Sequence, residues 1–370
     1  MKRTIITISA IFAATASTAP SSTKPDESAI HNYRSFPVLR RQNNGSIVEQ
    51  PNAPWNLERI SNIAPINQAG RKITDEAYKY RYDARDTAVG VDVYVHDTGI
   101  DPRNPDFTTR AGIIFTENPF DIYDTTGHGT HVAGTIGSGH YGVAKNVSIW
   151  AIRTTGGPME DPLGPSIEKN ASVYINDQVN GIKAAMRLHG LRKKEKDFKG
   201  SVMNMSWGLP KDFFAQEAGV LDTLRNALKD AVAAGIHITI AGGNDDEDAC
   251  DHFPAGLVKD IPSLIVVGNT DITDTRMKTS NWGSCIDLFA PGTEIKSTSL
   301  KKNNWVAIET GTSMSAPLVA GVVATQLAKN PDLRGNVPAM KKKILEMALK
   351  DVVKDAKGGA NLLLNTRVGA

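Results

Sequence analysis

"VDVYVHDTG" (91–99) is a short, Val-rich apolar run that closes on Asp97, Thr98 and Gly99. It reads as a buried β-strand bounded by turn residues, with a carboxylate at its carboxyl end. Five more stretches read the same way: "VSIWAIR" (147–153), "SVMNMSWG" (201–208), "HITIAGGN" (237–244), "SLIVVGNT" (263–270) and "IDLFAPG" (286–292). Between them, "VYINDQVNGIKAAMRLHG" (173–190) and "AGVLDTLRNALKDAVAAG" (218–235) carry helical periodicity and end at Gly, as helix C-termini prefer. Strand–helix alternation predicts an α/β protein of three layers, α/β/α, around a central, mainly parallel sheet. Ligands bind at the carboxyl ends of such strands. Those ends present Asp97, the segment Ser206-Trp207-Gly208, and Asn244.

The chain has 370 residues, 40% of them apolar and 22% charged, which fits a globular protein. Net charge is only +2. The basic run "RKKEKDFK" (192–199) lacks the aromatic interleaving of a nucleic-acid site, so no nucleic-acid partner is expected. At the N-terminus, Lys2 and Arg3 precede an apolar stretch from Ile5 to Ala14 and then small residues. That order predicts a secretory signal over residues 1–19, too short for a permanent anchor, and hence a secreted product with no membrane partner. Residues 20–52 are rich in Ser, Pro, Asn and Arg and have little periodicity, as expected of a poorly ordered leader. In an oxidising compartment Cys250 and Cys285 are expected to form one disulfide; two buried thiols are the alternative. Sequons at Asn44, Asn146 and Asn170 are open to glycans. A fourth, at Asn204, lies inside a strand pattern that would bar one.

"ETGTSMSAPLVAG" (309–321) places Thr312 and Ser313 before an apolar helical run. A lone Ser there reads as an N-cap. A nucleophilic serine needs a base, and the base needs a third group to orient it. "TTGHGTHVAGTIGSG" supplies His128 between glycines at a helix start, with His131 as a buried, hydrogen-bonded neighbour. Asp97 alone reads as an Asx-turn or as half of an aspartic-protease pair, but no second DTG or DSG half follows. The three residues occur in the order Asp97, His128, Ser313, which is the subtilisin order. No G-x-S-x-G with a following acid and histidine supports an esterase fold.

With these blocks, together with "YGVAKN", "NMSWG", "AGGN" and "NWGSCIDLFAPG", the chain resembles the subtilisin-like serine proteases, in their proteinase K and cerevisin branch. The likeness runs from about Ala53 to about Lys329. It implies a signal over 1–19, a short prosegment or leader over 20–52 and a peptidase domain over 53–370, acting as a monomer on protein or peptide substrates. It further implies Ser313 as nucleophile, His128 as base and acid, Asp97 as its orienting group, and the Asn244 amide in the oxyanion hole. Substrate would lie as an added strand along Ser206, Trp207 and Gly208, with Ala241, Gly242 and Gly243 lining a pocket roomy enough for a large apolar or aromatic side chain. No cofactor is required for the chemistry. A structural calcium is implied at Pro262, Leu264 and Asp287. However, one carboxylate is few for a cation that takes roughly six to eight oxygens, and Asp287 reads equally well as a satisfied surface residue. The chain departs from the family at Leu318, where a histidine is usual, at His96, where an aliphatic is usual, and over 153–170. Its leader is also short for an inhibitory propeptide. A catalytically silent relative that serves as a binding protein is the alternative reading.

Overall fold

Burial on both faces explains the apolar runs: β-strands lie in one sheet, and helices cover it above and below. The computed structural model describes residues 47–68, 70–85, 87–117, 120, 122–154, 171–215 and 219–368. The signal segment, most of the leader, the sequons at Asn44 and Asn170 and the stretch 155–170 lie outside the described residues. In chain order, β1 (Ile47–Ala53) and β2 (Tyr78–Asp83) pair antiparallel on either side of α1 (Trp55–Ser61). Then come β3 (Val91–Asp97), β4 (Ala111–Thr116), α2 (His128–Gly137), β5 (Ser148–Arg153), α3 (Ala171–Arg192) and β6 (Gly200–Met205). They are followed by α4 (Val220–Ala234), β7 (Ile236–Ala241), β8 (Ile265–Thr270) and β9 (Leu288–Pro291). A hairpin of β10 (Ile295–Thr298) and β11 (Val306–Glu309) leads into α5 (Thr312–Lys329), α6 (Val337–Met347), β12 (Leu349–Lys350) and β13 (Leu362–Leu363).

Nine strands form the main sheet in the order β12-β13-β9-β8-β7-β6-β3-β5-β4. Every neighbouring pair is parallel except β12–β13 at one edge. Strands β3, β6, β7 and β8 are buried at every position, as covering on both faces requires. Helices α2 and α5 pack together on one face, and α3 and α4 on the other. Helix α5 is apolar nearly all round, with Met314, Ala316, Leu318, Val319, Ala320, Val322 and Val323 all at most 1% exposed. A helix of that kind belongs in the core. Each Leu or Val so buried contributes on the order of 1.5–3 kcal/mol. Leu318 therefore fills core volume where the resemblance expected a histidine.

Cys250 and Cys285 form a disulfide. Asn204 is fully buried, its Nδ2 donating to Ser206 Oγ at 2.8 Å and its Oδ1 accepting from Thr239 Oγ1 at 2.9 Å, so this sequon is closed to a glycan. No helix among the described residues is long and apolar enough to cross a membrane.

Candidate active site

Three chain segments converge at the carboxyl end of β3. Asp97 is its last residue, and the side chain is 2% exposed. The Asp97 Oδ1 accepts the Thr98 N–H and the His128 Nδ1–H, each at 2.7 Å. A carboxylate can only accept, so the bond places the ring proton on Nδ1 and leaves Nε2 as the acceptor end of the neutral ring.

His128 opens α2, and two glycines put it there. Gly127 is the N-cap, with φ of 107° in the left-handed region that glycine tolerates. Gly129 lies so close to the 97–99 turn that a Cβ would sit 2.1 Å from the Gly99 carbonyl oxygen. Any side chain there would push α2, and His128 with it, away from Asp97. Asp124, which the sequence reading missed, clamps the same turn. Its Oδ1 accepts from the N–H groups of Thr126 and Gly127 and from the Thr98 hydroxyl, and its Oδ2 from the Thr130 N–H and hydroxyl. His131 is fully buried and bonds the Ile295 carbonyl through Nε2 at 2.9 Å, a structural role.

Burial, the largest influence on His128, pulls its pKa down. The charge and hydrogen bond of Asp97 outweigh it, with help from Glu309 and Asp124, and lift the pKa from 6.5 to about 9. His96, one residue before Asp97, is buried, and burial drops it to about 4 in spite of the Asp97 charge. It is a neutral packing residue that meets the Trp207 ring edge-on at 5.7 Å.

Ser313 is the second residue of α5 and is not its cap; Gly311 holds that position. Pro317 lies four residues on and has no N–H for the Ser313 carbonyl. Ser206 Oγ fills that vacancy, donating to the Ser313 carbonyl at 2.9 Å, while Ser313 Oγ donates to the Ser206 carbonyl at 3.1 Å. The end of β6 and the start of α5 are thus stapled by a reciprocal pair. A proline four residues after the serine was the sequence signal for it.

Asn244 follows β7. Its Oδ1 accepts the Thr312 N–H at 2.8 Å and the Thr312 hydroxyl at 3.0 Å, while Thr312 Oγ1 accepts the Gly243 N–H at 3.1 Å. With the carbonyl end so committed, the NH₂ end remains a donor. The Ser313 N–H, in the first turn of α5, has no intrahelical acceptor.

Asp97, His128, Ser313 and Asn244 line one cleft of about 780 Å³, together with Ser206, Trp207, Gly208, Ala241 and Gly243. Gly242 lies behind the wall: its N–H is bonded to the Val267 carbonyl, and a Cβ would meet Ile286 at 2.6 Å. The rim adds Asp245, Glu247 and Glu309, and among the described residues no Lys or Arg lines the cleft.

The implied calcium donors do not fit a metal ion. The Asp287 Oδ1 and the Leu264 carbonyl both contact the Lys341 ammonium at 2.6 Å, and Asp287 Oδ2 accepts the Val266 N–H at 2.9 Å. Of the three named ligands, Pro262 alone keeps a carbonyl without such a commitment to Lys341. Among the described residues no cluster of three or more His, Cys, Asp or Glu side chains could hold a metal.

Comparison with known proteins agrees with this geometry. Cerevisin of Saccharomyces cerevisiae is 36% identical over 342 residues, covering 87% of this chain and 49% of its own. Subtilisin-like serine protease Pen ch 18 of Penicillium rubens is 36% identical over 297 residues, covering 79% of this chain and 53% of its own. The chain thus spans about half the length of these relatives. The crystal structure of a cold-adapted subtilisin-like serine proteinase superposes with a TM-score of 0.67 at 33% identity, covering 85% of this chain and 98% of that one. The sequence profile of the subtilases matches residues 88–370. That span includes β3, α2, β7 and α5, which carry the cleft residues, and the chain belongs to the subtilase family.

Proposed function

We propose that the protein is a secreted serine endopeptidase that cleaves peptide bonds through an acyl-enzyme on Ser313. The observation that carries this reading is the 2.7 Å bond from His128 Nδ1 to buried Asp97, in the same cleft as Ser313 and Asn244. Substrate lies extended along Ser206, Trp207 and Gly208. Ser313 turns its hydroxyl from the Ser206 carbonyl to His128 Nε2, which takes the proton as Oγ attacks the scissile carbonyl. Asp97 steadies the imidazolium. The oxyanion meets the Asn244 NH₂ and the Ser313 N–H at the positive end of α5. His128 then protonates the leaving amine, and a water activated by the same ring releases the acid. No step calls for a metal.

The test is a fluorophosphonate probe followed by intact mass and peptide mapping, with Ser313→Ala as control. A single adduct on Ser313, together with cleavage of a protein substrate, is expected. A folded chain that takes no label and cleaves nothing would favour the silent, binding-protein alternative.

A further inference from the structure

Lys341 projects from α6 onto the ends of two sheet strands, where it is almost wholly enclosed: its side chain is 12% exposed and that of its partner Asp287 is 16%. Its ammonium lies 2.6 Å from Asp287 Oδ1 and 2.6 Å from the Leu264 carbonyl, which belongs to a fully buried residue. The carboxylate is fixed from the other side as well. Asp287 Oδ2 accepts the Val266 N–H, and the Asp287 N–H donates to the Val266 carbonyl at 3.0 Å, so β8 and the residue leading into β9 hold it in place. The donors are the Leu264 carbonyl and Asp287, the same oxygens that the family resemblance offers to calcium. We propose that Lys341 is a tethered cation that fills this site in place of a metal, so that the stability of this corner of the fold is independent of calcium.

Charge and geometry both favour the lysine. One ammonium neutralises one carboxylate, whereas a divalent ion on a single carboxylate would leave a positive charge in a buried place. An ammonium has only three N–H groups to satisfy, and two of them meet Asp287 Oδ1 and the Leu264 carbonyl here; calcium needs roughly six to eight oxygens, at distances of about 2.3–2.6 Å. Burial, the largest influence on Asp287, raises its pKa, and the Lys341 charge opposes that rise. The pair is thus mutually dependent: remove the ammonium, and a buried carboxylate is left facing a buried carbonyl.

The experiment measures thermal unfolding of the full chain, carrying Ser313→Ala to prevent self-digestion, in excess chelator and in excess calcium. The parent is expected to melt at the same temperature in both. Lys341→Met is expected to melt lower than the parent in both buffers by on the order of 5–10 °C, the loss for breaking a buried ion pair in a protein of this size. The proposal is overturned if the parent melts lower in chelator and Asp287→Asn abolishes that difference. It is equally overturned if Lys341→Met melts with the parent in both buffers. Should Lys341→Met fail to fold, calorimetric titration of the chelator-treated parent with calcium decides: heat that disappears in Asp287→Asn overturns the proposal, and no such heat supports it.

Discussion

At Asn244 one amide has two ends with two duties. Oδ1 ties the start of α5 through Thr312, and in the proposed mechanism Nδ2 serves the oxyanion. Asn244→Asp keeps an acceptor for Thr312 and removes the donor, so it separates the duties. Turnover is expected to fall by roughly 10²–10³, a range carried over from subtilisin, with KM nearly unchanged and Tm close to that of the parent. A loss of less than about tenfold would remove Asn244 from the oxyanion hole. His128 makes a prediction of its own. As the proposed base it must be neutral, and Asp97 lifts its pKa to about 9, so kcat/KM is expected to climb through neutral pH and level off only above about 9. A profile that levels off near 7 would mean that the Asp97 charge does not reach the ring as the geometry implies. The three residues of the proposed triad were legible because each sits in a distinctive local string. Asp124 was not, because its value lies in four residues, Thr98, Thr126, Gly127 and Thr130, folded onto one carboxylate and in no motif of its own.

Between elements, the staple joining β6 to α5 can be taken apart. Ser206→Ala leaves the Ser313 carbonyl without its donor, at a cost of about 1–3 kcal/mol. Pro317→Ala restores an N–H that can reach the same carbonyl as an ordinary i→i−4 helix bond. The two changes should therefore couple: Pro317→Ala alone shifts stability little, but added to Ser206→Ala it recovers on the order of 1 kcal/mol. Urea unfolding of the four proteins in a Ser313→Ala background measures the coupling, and strict additivity would refute the shared carbonyl. The six strands read from sequence are all present, displaced by a few residues at their ends, because burial on both faces demands unbroken apolar runs. The β1–β2 pair escaped that reading. Its strands are half exposed, β1 carries Glu49 and Pro51, and β2 alternates Tyr with Lys and Arg. Lys341 escaped for a different reason: it lies 77 positions from Leu264 and meets it only through the fold.

Across the whole molecule, buried histidines set the acid limit. Burial holds His96, His189 and His237 near 4, against an ordinary value of 6.5. The unfolded chain therefore takes up protons between those values that the native state refuses, and stability falls as pH drops from about 6.5 to 4. Asp92 and Asp287 work in the opposite sense, since burial lifts Asp92 to about 6 and raises Asp287, but burial lowers His131 as well, four histidines against two carboxylates. On the alkaline side, the stability that His128 gains from Asp97 is lost as pH rises from 6.5 through 9. Urea midpoints should thus peak near neutrality; a midpoint flat between 6.5 and 4 would sink the acid half of the argument. The N-terminal boundary is also a property of the whole fold. A mature start at Ala53 would discard β1, yet β1 pairs with β2 from Ile47 onward, and Gln50 Nε2 donates to the His140 carbonyl at 2.9 Å. The opposite strand is itself anchored: the Lys145 ammonium is held by the Gly139 and Gly142 carbonyls at 3.0 Å and lies 5.3 Å from the centre of the Tyr80 ring. Cutting at Ala53 would expose the β2 edge and strip contacts from a turn adjoining α2, the helix that bears His128. The processed protein is therefore expected to begin at or before Ile47, and a chain made to start at Ala53 to melt several degrees below one that starts at Ile47. N-terminal sequencing of the mature product and the two melting curves check this. A natural start at Ala53 with an undiminished Tm would mean that β1 belongs to the leader and only rests on the mature fold.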